Sequence, residues 1–510
     1  MDRRALLAAG AGALAATWLG GCGGGGGDAG TPVSPPGPSS PITDQELGTL
    51  ALQMQGRLLL PADADFDTLR RPANGRFDGL VPRALARCAS AADVGAAFAF
   101  ARSKRMNFAL RSGSHSYVGA SATDAGLLID TGPMDGVRME GGIAVVGAGA
   151  KLADVYRAVF DAGRILPSGS CVTVGITGIT LGGGVGYFDR QLGLTCDALI
   201  GATVVTADGQ VRTCDATRDA ELFWGLRGGG GGRFGIVTEL RFQTQPLGAV
   251  SGAIANFNAA DLPAVLAAWQ SLPATLPEWG WSQLVIASDR AGGLQVSVIL
   301  IALETANALR PHWNALLAAI GRSPQVQFID DTTAAGLLLN GCAMLSNTAC
   351  HLPTQVIGGT LPRVSMTASS DFFNRTLPAA GQQALVDAML ARSRAGRPGA
   401  TLLDLMGGAI ARVAADATAF PHRAALFGAQ YVAENPIGTP ESTLTADSAW
   451  AASMRQAMAA WSSGGAYVNY PNLQDKLAPE AYFGANAARL QRLKASIDPD
   501  GLFKSPNGPV

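Results

Sequence analysis

Charged and aromatic side chains are both scarce in this chain. Of 510 residues, 15% are charged and 6% aromatic, and 38 Lys plus Arg stand against 39 Asp plus Glu for a formal net charge of −1. No run of basic residues interleaved with aromatics occurs. That removes the electrostatic footprint nucleic-acid binding needs and favours a neutral or weakly charged small substrate. Histidine is rarer still, with four in the chain. No His–Cys spacing matches a structural zinc site, so no metal is expected. The apolar run Ala5 to Leu19 is too short and too rich in Gly and Ala to span a bilayer comfortably. A strand leading into Gly-x-Gly-x-x-Gly and a helix is absent, which argues against a dinucleotide-binding Rossmann domain. No fixed-period repeat is present.

Apolar material is plentiful at 48% of residues, and the length suggests two or three domains. Residues 1–22 read as a targeting segment, with Arg3-Arg4 before the apolar run and Leu19-Gly20-Gly21-Cys22 after it. Twin arginines imply export of a pre-folded protein, hence a periplasmic location. The Leu-Gly-Gly-Cys step resembles a lipobox, in which Cys22 would carry a lipid anchor. An ordinary cleaved signal with an incidental cysteine is the other reading. Residues 23–43, rich in Gly, Pro and Ser, form a flexible linker, and order is expected from about Asp44. Among the other cysteines, Cys342 and Cys350 are the closest pair for a disulfide in an oxidising envelope, and Cys196 with Cys214 is a second candidate. Buried free thiols are the alternative.

Helical and strand patterns alternate through residues 80–250. Ala91 to Lys104 reads as an amphipathic helix and Phe108 to Arg111 as a strand. Gly126 to Asp130 and Ile143 to Gly147 follow as strands, then a helix from Leu152 to Ala162 ended by Gly163. Ala202 to Thr206 and Gln210 to Thr213 flank Asp208-Gly209 in a hairpin. Beyond Val250 the apolar segments lengthen. Leu294 to Leu303 and Leu426 to Val432 read as strands, and Leu262 to Leu272, Ala306 to Ile320 and Gln382 to Arg394 as helices. Strands with helices on one face suit a substrate domain.

Two glycine-dense turns carry the chemistry. Arg111-Ser112-Gly113-Ser114-His115-Ser116-Tyr117 follows one apolar strand. Gly169-Ser170-Cys171-Val172-Thr173-Val174-Gly175-Ile176-Thr177-Gly178 follows another apolar run and continues into Leu181-Gly182-Gly183-Gly184-Val185-Gly186. Glycine lets backbone approach a pyrophosphate closely, and the freed N–H groups cradle an anion. His115 and Cys171 each add a nucleophile. The pattern suggests a nucleotide cofactor held along its phosphates and bonded covalently at its reactive end.

From about Pro82 onward the chain resembles the berberine-bridge-enzyme-like flavoprotein oxidases, with a vanillyl-alcohol-oxidase-type FAD domain. The motifs carrying the resemblance are those two loops, then Glu221 to Thr238 with five consecutive glycines, then Tyr467-Val468-Asn469-Tyr470-Pro471, Tyr482 to Asn486 and Asp498-Pro499. The resemblance implies an α+β fold: a two-part FAD-binding domain over 44–249, a substrate domain over 250–465 whose β-sheet is covered by helices on one face, and a segment over 466–510 returning to the FAD domain. It implies covalent FAD, through His115 at the 8α-methyl and Cys171 at C6. It places Arg111, Ser112, Gly113, Ser114, Ser116 and Tyr117 of the first loop on the cofactor. From the second loop it adds Gly169, Val174, Gly175, Thr177, Gly178, Gly182, Gly183, Gly184 and Gly186, and from later motifs Gly235, Ile236, Val237 and Asn469. Two residues depart from the family pattern: Ser114 stands where a second glycine is usual, and Ile179 where histidine is frequent.

The resemblance also implies a reaction in which an alcohol is oxidised and dioxygen is the acceptor, with Val174 leaving oxygen a path. A phenol of reference pKa about 10 needs positive charge or hydrogen-bond donors nearby to serve as base near neutrality. Tyr470 is that candidate, with Gln430 orienting a hydroxyl or stabilising its phenolate. Asp404 is the acid partner that sugar-oxidising members carry, or a solvated surface residue. His422 reads as structural. The alternatives are a flavin dehydrogenase with another acceptor and a lipid-anchored binding protein that has lost the chemistry.

Overall fold

The structure, a computed structural model, describes residues 42–504; the twin-arginine segment, Cys22 and almost all of the linker lie outside them. Helix Asp44–Leu52 opens the described chain. Its capping residue Thr43 accepts from the backbone N–H of Glu46, while the Glu46 carboxylate accepts from that of Thr43.

Residues 57–243 build two sheets. The four-stranded one orders Arg57–Leu59, Ala84–Arg87, Leu127–Asp130 and Phe108–Arg111, the last three mutually parallel. The five-stranded one is antiparallel, in the order Val137–Glu140, Ile143–Gly147, Ile236–Gln243, Leu199–Val205, Val211–Asp215. Helix Ala91–Ser103 covers the first sheet, and Leu152–Asp161 ends just before Gly163 at φ +64°. The hairpin turns through Gly209 at φ +83°.

A seven-stranded antiparallel sheet follows. Its order is Val326–Thr332, Val250–Phe257, Leu294–Ala302, Gly280–Ser288, Gly399–Leu405, Phe427–Asn435, Ser365–Phe373. Strand side chains alternate between faces. Leu284, Ile286, Val298 and Leu300 pack under helices Leu262–Trp269, Ala306–Ile320, Ala379–Arg394 and Glu441–Met458. Their neighbours Trp281, Val285, Ile299 and Ile301 face the other way, into the core shared with the five-stranded sheet. The seven-stranded sheet forms a roof over the glycine loops. The architecture is α+β, with the two smaller sheets in one part and the seven-stranded sheet in the other.

Cys342 and Cys350 form a disulfide with a Cα–Cα distance of 5.4 Å. Cys196 and Cys214 do not pair. Both are buried free thiols, the first packed with Phe420 and Ile410, the second donating to the Ala202 carbonyl at 3.6 Å.

Candidate active site

The two glycine loops meet backbone to backbone. A Cβ built on Gly113 would lie 2.0 Å from the Gly175 nitrogen, and one on Gly175 would lie 2.4 Å from the Gly113 nitrogen. Only glycine at both positions allows that approach. Three further ties hold the loops together. Ser112 Oγ and Thr177 Oγ1 both donate to the Ala148 carbonyl, at 2.6 and 2.8 Å. Gln355, buried and remote in sequence, donates from one Nε2 to the carbonyls of Gly113 (2.9 Å) and Thr173 (2.7 Å).

This clamp brings the two nucleophiles together. Thr173 Oγ1 lies 2.9 Å from His115 Nε2 and 3.5 Å from Cys171 Sγ. Burial, helped by the Lys151 ammonium, pushes the His115 imidazole down to about 4. The ring is then neutral at neutral pH, with one nitrogen lone pair free to act as a nucleophile. Cys171 is the exposed member of the four free cysteines among the described residues; Cys88, Cys196 and Cys214 are buried. Ser114 takes the left-handed conformation, φ +62°, that glycine would adopt more easily. Its hydroxyl and carbonyl both accept from the Ala73 N–H, at 3.1 and 3.2 Å, which holds it there.

His115 and Cys171 open onto a cavity of about 720 Å³. Its wall takes in Arg111, Ser112, Gly113, Ser114, Ser116 and Tyr117 from the first loop, and Gly169, Val174, Gly175, Thr177, Gly178 and Ile179 from the second. Gly230 to Gly232, Gly235, Ile236, Val237, Gln430, Asn469 and Tyr470 complete it, with Arg102, Arg105, Asp500, Phe503 and Lys504. The Arg111 guanidinium itself turns away, donating to the carbonyls of Leu69, Arg70 and Ser121.

Gly182, Gly183, Gly184 and Gly186 do not line this cavity, contrary to the expectation from their glycine-rich motif. They give room to neighbouring protein atoms: the Asn469 amide, the Phe420 ring, the Thr195 side chain and the Ser168 carbonyl respectively. Asn469 in turn donates to the Ile179 carbonyl (3.1 Å) and to Tyr467 Oη (3.0 Å), which also accepts from the Gly184 N–H.

Tyr470 is half-buried and edge-on to Tyr117 and Tyr467, with ring centroids 5.9 and 4.8 Å away. Burial raises its phenol well above 10, and Asp404, Tyr117, Tyr467 and Cys171 all push in the same direction. The largest influences on it among the described residues include no cation. Gln430 donates to Tyr117 Oη at 2.9 Å, so its amide supports Tyr117 where the sequence suggested Tyr470. Asp404 does not line the cavity. It accepts from Gln283 Nε2 at 2.7 Å, and burial lifts its carboxyl to about 6. It is no solvated surface residue, being partly buried on strand Gly399–Leu405 and bonded to Gln283. His422 is structural, with Nε2 paired to the Tyr482 carbonyl at 3.0 Å and its ring stacked on Phe372.

Glu434 was not foreseen. It lies on the cavity wall four residues beyond Gln430, on the same face of strand Phe427–Asn435, and burial raises its carboxyl to about 7. Thr173 and Gln355 were also missed as site residues.

Two family models match the chain: "FAD binding domain" over residues 82–215 and "Berberine and berberine like" over 466–508. The solved BBE-like 1 of Physcomitrella patens superposes with a TM-score of 0.80 at 25% identity, covering 91% of this chain and 100% of its own. This chain is a berberine-bridge-enzyme-like FAD-linked oxidoreductase. Among curated family members, an uncharacterized FAD-linked oxidoreductase of Bacillus subtilis, YgaK, is 28% identical over 89% of this chain and 96% of its own. A carbohydrate oxidase of Microdochium nivale is 27% identical over 88% and 91%.

The residues present fit FAD. The cavity has the size of a cofactor site, its glycine backbone admits a pyrophosphate, and Arg102, Arg105 and Lys504 on its wall suit the phosphate charge. His115 and Cys171 stand on the same wall as potential attachment points.

Proposed function

We propose that this oxidoreductase is an exported oxidase carrying FAD bicovalently through His115 and Cys171. It oxidises the CH–OH group of a carbohydrate or secondary-metabolite alcohol and passes the electrons to dioxygen, giving hydrogen peroxide. The observation that carries the reading is the grouping of two nucleophiles and a phenol on one cavity wall, His115 and Cys171 sharing the Thr173 hydroxyl and Tyr470 packing on Tyr117. Likeness to a carbohydrate oxidase supports the carbohydrate end of the substrate range. Val174 is a small residue on the same wall, which suits access by oxygen. The Arg3-Arg4 segment supports export.

Bound FAD supplies the hydride acceptor for the carbinol carbon. The chain supplies the path for the hydroxyl proton. Tyr470 is a neutral phenol at physiological pH, so it serves as a relay, receiving the substrate proton as it yields its own. Asp404, ionised above about pH 6, bears on that phenol through its charge and helps keep it in the neutral form a relay needs. Tyr117, oriented by Gln430, forms the adjoining wall.

Unfolding the purified protein in acid tests the attachment. The wild type and each single variant, His115→Ala or Cys171→Ala, should stay yellow, and the double variant should release its flavin. Complete release from the wild type would refute the bicovalent reading. Oxygen consumption over a panel of carbohydrates and aromatic alcohols tests the substrate class.

A further inference from the structure

Thr173 occupies a place that packing alone does not require. It is buried, and its hydroxyl is within reach of both candidate flavin ligands, 2.9 Å from His115 Nε2 and 3.5 Å from Cys171 Sγ. Its backbone is fixed independently, because Gln355 holds the Thr173 carbonyl and the Gly113 carbonyl from one nitrogen. The hydroxyl therefore sits at a set position between two loops that cannot slide past each other, with Gly113 and Gly175 in direct backbone contact.

The direction of these hydrogen bonds follows from what His115 must do. A neutral imidazole has one N–H and one lone pair. If Thr173 donated to Nε2, the proton would sit on Nδ1 and neither nitrogen could attack. If Nε2–H donates to Thr173 Oγ1, Nδ1 keeps its lone pair and the threonine proton is free to point at Cys171 Sγ. Burial and the nearby Lys151 ammonium keep the ring in the neutral form this requires.

We propose that Thr173 is the positioning residue for flavin attachment: it fixes His115 in the Nε2–H tautomer with Nδ1 as nucleophile, and it links the proton losses of His115 and Cys171 through one hydroxyl. The proposal rests on the bicovalent reading above. At His115, the bond from Nδ1 to the flavin 8α carbon forms as one methyl C–H bond breaks. The second hydrogen lost is the Nε2 proton, which leaves through Thr173 Oγ1. At Cys171, the bond from Sγ to flavin C6 replaces one S–H and one C–H. In each case the two electrons and two protons go to dioxygen, and one hydrogen peroxide forms per bond.

The test follows covalent incorporation over time after FAD is added to full-length protein produced in flavin-starved cells. Acid precipitation and intact mass measure it, with total bound FAD measured separately by fluorescence quenching. Thr173→Val keeps the shape and removes the hydroxyl; Thr173→Ser restores it. Attachment in Thr173→Val should be slower by about tenfold or more at unchanged non-covalent binding, and Thr173→Ser should stay within about twofold of wild type. In a Cys171→Ala background the same ratio should persist for the His115 bond alone. Attachment in Thr173→Val at the wild-type rate, or in Thr173→Ser as slow as in Thr173→Val, overturns the role of the hydroxyl and leaves bicovalent attachment standing. A wild type that never retains flavin overturns both.

Discussion

The side-chain amide of Gln430 donates to the hydroxyl of Tyr117 at 2.9 Å, joining the roof sheet to the loop that carries His115. Tyr117 in turn meets Tyr470 edge to face. Gln430→Ala should leave the phenol pair without its fixed orientation. The rate of anaerobic flavin reduction should fall by about tenfold, the scale of one neutral hydrogen bond, with flavin content unchanged. A rate equal to wild type by stopped-flow absorbance would show that Tyr117 needs no support.

Asp404 and Tyr470 make a prediction about pH. Burial raises the Asp404 carboxyl to about 6, so the charge that bears on Tyr470 is present above that value and lost below it. Flavin reduction should accelerate through about pH 6 and then level off. Asp404→Asn should lack that limb and run about 10²-fold slower, and Tyr470→Phe should lose on the order of 10²–10⁴. A limb well above pH 10 that survives in Asp404→Asn would instead make a Tyr470 phenolate the base.

The contact between Gly113 and Gly175 predicts a sharp contrast between neighbouring glycines. Gly113→Ala would place a methyl 2.0 Å from backbone nitrogen, whereas Gly178 has nothing within 4 Å of its would-be Cβ. Gly113→Ala should cost about 1–3 kcal/mol and lower covalent flavin content. Gly178→Ala should melt within about 0.5 kcal/mol of wild type, although its methyl would point into the cavity. Calorimetry and the visible spectrum read both effects.

His351 and Asp154 supply a pH-dependent clasp. His351 Nε2 lies 3.1 Å from Asp154 Oδ2, and Asn347 donates to Asp154 Oδ1 at 2.8 Å, fastening the disulfide segment to helix Leu152–Asp161. Burial opposes both charges, yet the His351–Asp154 bond outweighs it, raising His351 and lowering Asp154. The His351 contribution is complete below its unfolded value of about 6.5 and is lost as pH rises through its raised folded value. The Asp154 contribution is complete above about 3.9 and is lost as pH falls through its lowered folded value. His351→Gln should therefore cost about 3 kcal/mol near pH 5 to 6 and less in alkaline buffer. Equal losses at both pH values would show the bond to be uncharged.

Elements with one buried face were legible in the sequence. Phe108–Arg111 and Ala306–Ile320 fall where their periodicity placed them. Val250–Phe257 and Gly280–Ser288 were not seen, because nearly every residue in them is buried and no alternation survives to mark a strand. The apolar run Leu426 to Val432 reads as a strand that stops short of Glu434. It runs on to Asn435, and that is how Glu434 reaches the cavity unforeseen. In the site, the two glycine loops were legible from composition. Which glycines face a ligand was not, because Gly113 and Gly182 are chemically identical and differ in what approaches them. The Gln430–Tyr117 and Gln355–Thr173 bonds join residues far apart in the chain, which no local pattern reports.

The cavity wall draws on residues from Ala101 to Lys504, and Phe503 seals one part of it by stacking on Phe98. A chain still emerging from the ribosome lacks part of that wall until residues 500–504 are made. A product cut before Asp500 should therefore hold flavin more weakly even with His115 and Cys171 in place.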